Sequence, residues 1–171
     1  MPTRVLSILA LFIVFATSAS AQLSDVQISA ARKKLDETKS HANSATVTTK
    51  EIAYKITVES HTSKVVPDLQ IKYMIFYFDA QSGSKEKPLE TSQKGTLTVA
   101  SLPANQSVTI ETEPFKLTTE ELDGNVVFMN GASSRAADRV SGIWIRAYSG
   151  GKIIGEYSNP TTISKRNTWK E

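Results

Sequence analysis

The sequence predicts an all-β protein, a single β-sandwich of about seven antiparallel strands preceded by a signal peptide. Three observations carry that expectation. Strand-like runs follow one another from residue 46 onward with turn residues between them. One of them, residues 142–160 (GIWIRAYSGGKIIGEYSNP), is written like a β-hairpin with Gly150 and Gly151 at its turn. The chain holds no cysteine, so its stability has to come from packed layers rather than from disulfides or thiolate-bound metal.

The leader comes first in the chain. Arg4 precedes a compact apolar run at residues 5–16, and Ala19 and Ala21 then place small residues as a signal-peptidase site requires. The run is about 12 residues, short of the roughly 20 that a membrane-spanning helix needs. The expected organisation is a signal peptide at 1–21, an N-terminal strand or helix segment at 22–45, a sandwich domain at 46–163 and a tail at 164–171. The expected location is extracellular or periplasmic, with no membrane span after cleavage. Removing residues 1–21 from the 171 leaves 150, one domain's worth of chain. With Arg4 gone, the net charge falls from +3 to +2. The basic residues are scattered, which argues against nucleic-acid binding.

Within residues 24–38 two readings stay open. Ser24 and Gln27 are spaced as a capping box, whereas Val26, Ile28 and Ala30 alternate as a strand would. From 51 to 60, Ile52, Tyr54, Ile56 and Val58 share one side of a half-buried strand. Residues 71–78 are apolar on both sides, with Ile71, Tyr73, Ile75 and Tyr77 on one and Lys72, Met74, Phe76 and Phe78 on the other. Leu97 and Val99 mark the next strand, and Val108 and Ile110 another, which Pro114 bends or places at an edge. Residues 124–131 form a weaker candidate. At 117–125 (LTTEELDGN), Thr118 and Glu121 predict one capped helical turn ended by Gly124.

A Tyr-led strand at 54–58 and a Gly-Gly hairpin near the C-terminus give residues 46–163 a chain order that resembles small secreted immunoglobulin-like or fibronectin-III-like modules. The resemblance is one of fold and implies no functional residues.

Chemistry is sparse. His41 and His61 sit in polar contexts without a neighbouring ligand set. No nucleophile elbow, phosphate loop or paired-carboxylate cleft is written in the chain. The small-residue run 131–138 (GASSRAAD) reads as a loop. No catalytic residue, cofactor or metal site is therefore expected, and the expected role is binding or structural. Asn105, Gln106 and Ser107 form a glycosylation triplet in a turn.

Counting outward from the Gly-Gly turn, Tyr148 should face Ile153, Arg146 Gly155, and Trp144 Tyr157, leaving Ile145 opposite Glu156. The larger apolar set marks the Trp144 side as the interior. If that face were instead uncovered, Trp144, Arg146, Tyr148 and Tyr157 would form the binding surface. It would suit a protein partner, a second copy or a glycan stacked as in carbohydrate-binding modules. The alternative is that residues 22–45, the loop 113–139 or the tail with Trp169 covers it. A hydrolase is the remaining alternative and would need a polar cleft at His41 or His61.

Overall fold

The computed structural model describes residues 25–42, 44–124 and 126–169. The expected signal peptide lies outside the described residues. Nine strands follow in order: β1 (Val26–Ala42), β2 (Ala45–Ser60), β3 (Val66–Asp79), β4 (Leu89–Leu102), β5 (Ser107–Glu111), β6 (Phe115–Leu122), β7 (Arg135–Ala137), β8 (Arg139–Ser149) and β9 (Lys152–Asn159). Among the described residues one short helix, α1 (Thr162–Arg166), follows β9. Two antiparallel sheets pack into a β-sandwich. The first runs β1-β2-β6-β7, with β5 also beside β2, and the second runs β4-β3-β8-β9.

Why these residues form these strands is clearest at β2. Ile52, Tyr54, Ile56 and Val58 are all buried while Lys55, Thr57 and Glu59 between them face outward, the period-2 pattern of a strand with one wet face. Opposite them lie Ile71, Tyr73 and Ile75 of β3 and Ile143, Ile145 and Ala147 of β8 in one continuous core. Burying each aliphatic chain is worth about 1.5–3 kcal/mol. Burial also pushes the Tyr73 phenol above its ordinary pKa, opposed by the hydrogen bond that its oxygen accepts from the Glu113 N–H at 3.2 Å.

β5 and β6 occupy successive stretches along the same side of β2. Lys55 to Glu59 pair with β5, and Ala45 to Ile52 pair with β6. Pro114 lies between the two and lacks an N–H, so it bends what would otherwise be one long strand.

Two sequence expectations fail in this region. The helical turn at 117–125 is strand β6, because Phe115 and Leu117 alternate into the core and the adjacent edge of β2 needs a hydrogen-bonding partner. The spacing of Thr118 and Glu121 is incidental, a case of tertiary pairing overriding local propensity. Residues 126–134 carry no strand, while Arg135–Ala137 inside the expected loop forms β7. The open choice at 24–38 falls to strand: β1 pairs with β2 from Val26 opposite Ser60 to Ala42 opposite Ala45, with one irregularity between Lys34 and Asp36. No helix among the described residues is long and apolar enough to cross a membrane.

Candidate functional site

The hairpin turns at Gly150 and Gly151, both with positive φ (55° and 75°), as a two-residue primed turn requires. Ser149 meets Lys152 and Tyr148 meets Ile153 as expected, but the register then slips by one residue. Ala147 faces Gly155, Arg146 faces Glu156, Ile145 faces Tyr157 and Trp144 faces Ser158. A one-residue slip sends every later side chain of β9 to the opposite face. Tyr157 therefore packs against the main core beside Ile145, and Glu156 and Ser158 go to the Trp144 side.

This corrects the sequence reading. The interior face of β8 is Ile143, Ile145 and Ala147, and the Trp144 face is the outer one. The four residues of the expected surface are divided: Trp144, Arg146 and Tyr148 share the outer face, and Tyr157 does not.

The outer face is nonetheless covered. Trp144 is only 4% exposed and Tyr148 only 9%. Met74, Phe76, Trp144 and Ile163 form a second apolar cluster, with Trp169 packed on it. The cover is the C-terminal segment, one of the three candidates in the sequence. Ile163 of α1 is fully buried, and a Cβ on Gly142 would stand 2.5 Å from its Cγ1, so the missing side chain at 142 makes room for it. Arg166 pairs with Glu90 of β4, and Ser158 and Ser164 share a 3.1 Å hydrogen bond.

Around Trp144 the polar groups are used up locally. Its indole Nε1–H donates to Glu156 Oε1 at 2.6 Å, and Arg146 Nε donates to the same oxygen at 3.0 Å. The Arg146 guanidinium lies 4.8 Å from the Trp144 ring centre and 4.6 Å from that of Trp169, within cation–π range of both. The two indoles meet edge to face at 5.1 Å and 83°. Lys72 sits over the Tyr148 ring at 5.1 Å. Rings buried and crossed in this way offer no coplanar platform for a sugar.

The histidines lie at opposite ends of β2. His41 is beside Thr46 and His61 beside Gln27, separated by about the 50 Å that a strand of this length spans. His41, Thr46 and Asp123 cluster, but the Thr46 hydroxyl donates to Asp123 Oδ1 at 2.7 Å. With that proton committed, the hydroxyl has none left for His41 Nδ1 across their 3.0 Å contact. That is not the arrangement of a base drawing a proton from a nucleophile. Among the described residues no three metal-binding side chains converge.

The structure also opens a site that sequence reasoning missed. At one end of the sandwich, residues of both sheets border a cleft of about 770 Å³. Lys50 of β2, Thr119 of β6 and Ala136 of β7 line one side, and Phe78 of β3, Pro88 and Arg139 of β8 the other. Asp138 ties the two sheets together here: Oδ1 accepts the Ala80 N–H at 3.0 Å, and Oδ2 accepts the Thr118 N–H at 2.7 Å. The loops at the rim brace each other, since Asn130 Nδ2 donates to the Gly83 carbonyl at 2.9 Å and its Oδ1 accepts the Ala132 N–H at 2.9 Å. The one sequence signal was the charged RAADR run at 135–139, whose cations only the fold brings near Lys50 and Lys87.

No family model matches the chain, and no curated protein matches it. Among solved structures it is similar to a Northeast Structural Genomics Consortium target, 10% identical, covering 86% of this chain and 96% of that one at a TM-score of 0.36. A crystal structure from Akkermansia muciniphila is 14% identical, with 80% and 73% covered and a TM-score of 0.28. A Bordetella pertussis protein given the name ApaA is 11% identical, with 79% and 92% covered and a TM-score of 0.33. Likeness this distant carries no functional argument.

Proposed function

We propose that the chain is a secreted, non-catalytic binding module on an immunoglobulin-like or fibronectin-III-like sandwich, and that its ligand enters the cleft at the end of the sandwich that residues of both sheets border. One observation carries the reading. The aromatic face that resembled a binding surface in the sequence is sealed by the protein's own tail, whereas the cleft stays open with its polar rim exposed. Its volume lies within the roughly 300–1,000 Å³ usual for ligand sites. Support for the finer fold comes from strand order: β3 and β8 are central neighbours in one sheet, as that layout requires, opposite β1-β2-β6. Secretion rests on the leader pattern at 1–21. The carbohydrate-stacking alternative loses its platform to the crossed, buried indoles.

The test is a thermal-shift screen of a chemically diverse small-molecule panel against the mature protein, Ala136→Trp and Ser133→Trp. Either tryptophan would occupy the cleft, the second from an exposed position. A ligand at about 100 times its Kd stabilises the fold by about 2.7 kcal/mol. Compounds that raise the wild-type melting temperature should leave both variants unmoved. Equal shifts in all three proteins would place the site elsewhere and refute the reading.

A further inference from the structure

Six charged side chains line the cleft: Lys50, Lys87, Arg135 and Arg139 against Glu86 and Asp138. Asp138 is spent on architecture, since each of its carboxylate oxygens already accepts a backbone N–H, one from Ala80 and one from Thr118. Its charge remains, so the lining sets four cations against two carboxylates, a net of +2, and Lys50 also lies opposite Glu37 across β1 and β2. Arg135 reaches Glu121 only at 4.0 Å, with both side chains more than half exposed (63% and 61%). Such a pair holds its partner weakly and is readily exchanged. Arg139 rests on the Phe78 ring at 5.3 Å, which limits its side-chain freedom while leaving the in-plane N–H donors for a ligand. Among the described residues, no ion pair engages Lys87 or Arg139. Phe78, Pro88, Ala136 and Ala137 add apolar wall between these charges.

From this lining we infer that the cleft takes a small ligand carrying two or more oxyanion groups, carboxylate or phosphate, with the arginines as directional donors and the lysines as point charges. Planar guanidinium groups bind either oxyanion through paired N–H donors. The reasons are the cation excess, its spread over β2, β7, β8 and the loop before β4, and the rim loops braced through Asn130 and Gly83. A single anion would satisfy one wall only. The inference rests on the binding reading above, and its test separates the two.

The experiment is a ¹⁵N-NMR titration of the mature chain with citrate, inorganic pyrophosphate and maltose at constant ionic strength, with chloride making up the balance. The expected result is saturable movement of the Ala80, Thr119 and Arg139 amides with citrate or pyrophosphate. The tighter of the two identifies the oxyanion. Arg135→Gln with Arg139→Gln should weaken that binding on the order of tenfold or more, and Lys87→Gln, an exposed loop change, should weaken it less. Both variants should keep the wild-type spectrum outside the cleft. Movement of these amides by maltose alone would overturn the anion inference and leave the binding reading standing. No movement by any probe, or anion affinity unchanged in the double-arginine variant, would overturn the inference outright.

Discussion

The outer face of β3 and β8 and the cleft between the sheets invite opposite first impressions. The face is rich in tryptophan, tyrosine and phenylalanine and resembles a recognition surface, yet it is built as a second core. Its indole donor, its guanidinium and its carboxylate satisfy one another, and Ile163 and Trp169 cover its apolar part. The cleft has few aromatic groups and a conspicuous excess of charge, yet it is the region open to solvent. What separates them is the polar accounting. Around Trp144 the polar groups are spent on one another, whereas at the cleft Asp138, Ser84 and Ser133 are spent on the backbone and, among the described residues, no ion pair engages Lys87 or Arg139. Aromatic content reports what needs burial, whereas uncommitted charge in a concave site reports what can still bind.

The comparison can be broken first at Trp144. Trp144→Ala removes a packed ring and leaves Glu156 without its indole donor, and we expect a loss of about 3–5 kcal/mol by denaturant unfolding. A variant melting within a degree or two of the parent would mean that the face is mere surface. Asp138→Ala tests the other region. It removes the charged acceptor of the part-buried Ala80 N–H and the exposed Thr118 N–H, a link between the two sheets, and it should cost about 2–3 kcal/mol. Because Asp138 also shapes the cleft, its loss should weaken ligand binding as well.

A smaller change probes the seal itself. Gly142→Ala puts a methyl where Ile163 and the Asn159 carbonyl lie, at 2.5 and 2.6 Å. We expect it to cost about 1–3 kcal/mol and to lift the tail, measured as increased binding of an apolar dye. Unchanged dye binding would show that α1 is not seated on β8. The smallest effect belongs to Trp169→Phe. Among the described residues the buried Trp169 indole N–H finds no hydrogen-bond partner, so a phenyl ring keeps apolar contact while removing an orphan donor. The net change should stay within about 1 kcal/mol, whereas Trp169→Ala should cost distinctly more in parallel melts.

How far the sequence could be read depended on whether one residue's neighbours or a remote segment decided the outcome. Ile52, Tyr54, Ile56 and Val58 announced β2 through their own alternation, and all four are buried. β6 was misread because Thr118 and Glu121 mimic a helix start, and the edge of β2 that recruits the segment lies some 70 residues away. β1 stayed ambiguous because residues 31–41 are largely exposed on both faces, so no apolar stripe marks its period. The face of the hairpin turned on the slip between Ala147 and Tyr148. Adjacent Ile153 and Ile154 satisfy either register, so counting from the turn could not find it. The cleft was illegible for a different reason: its cations come from residues 50, 87, 135 and 139, which only the sandwich assembles.

Whether the C-terminal segment seals the Trp144 face can be measured in one experiment. The chain has two tryptophans, so an indole-to-indole nuclear Overhauser contact in the native protein has one assignment. With ring centres 5.1 Å apart and crossed at 83°, Trp144 and Trp169 should show strong cross-peaks between their ring protons, together with contacts from the Ile163 methyls to the Trp144 ring. A native spectrum lacking those cross-peaks, with Trp169 at random-coil shifts, would contradict the account and return the Trp144 face to solvent.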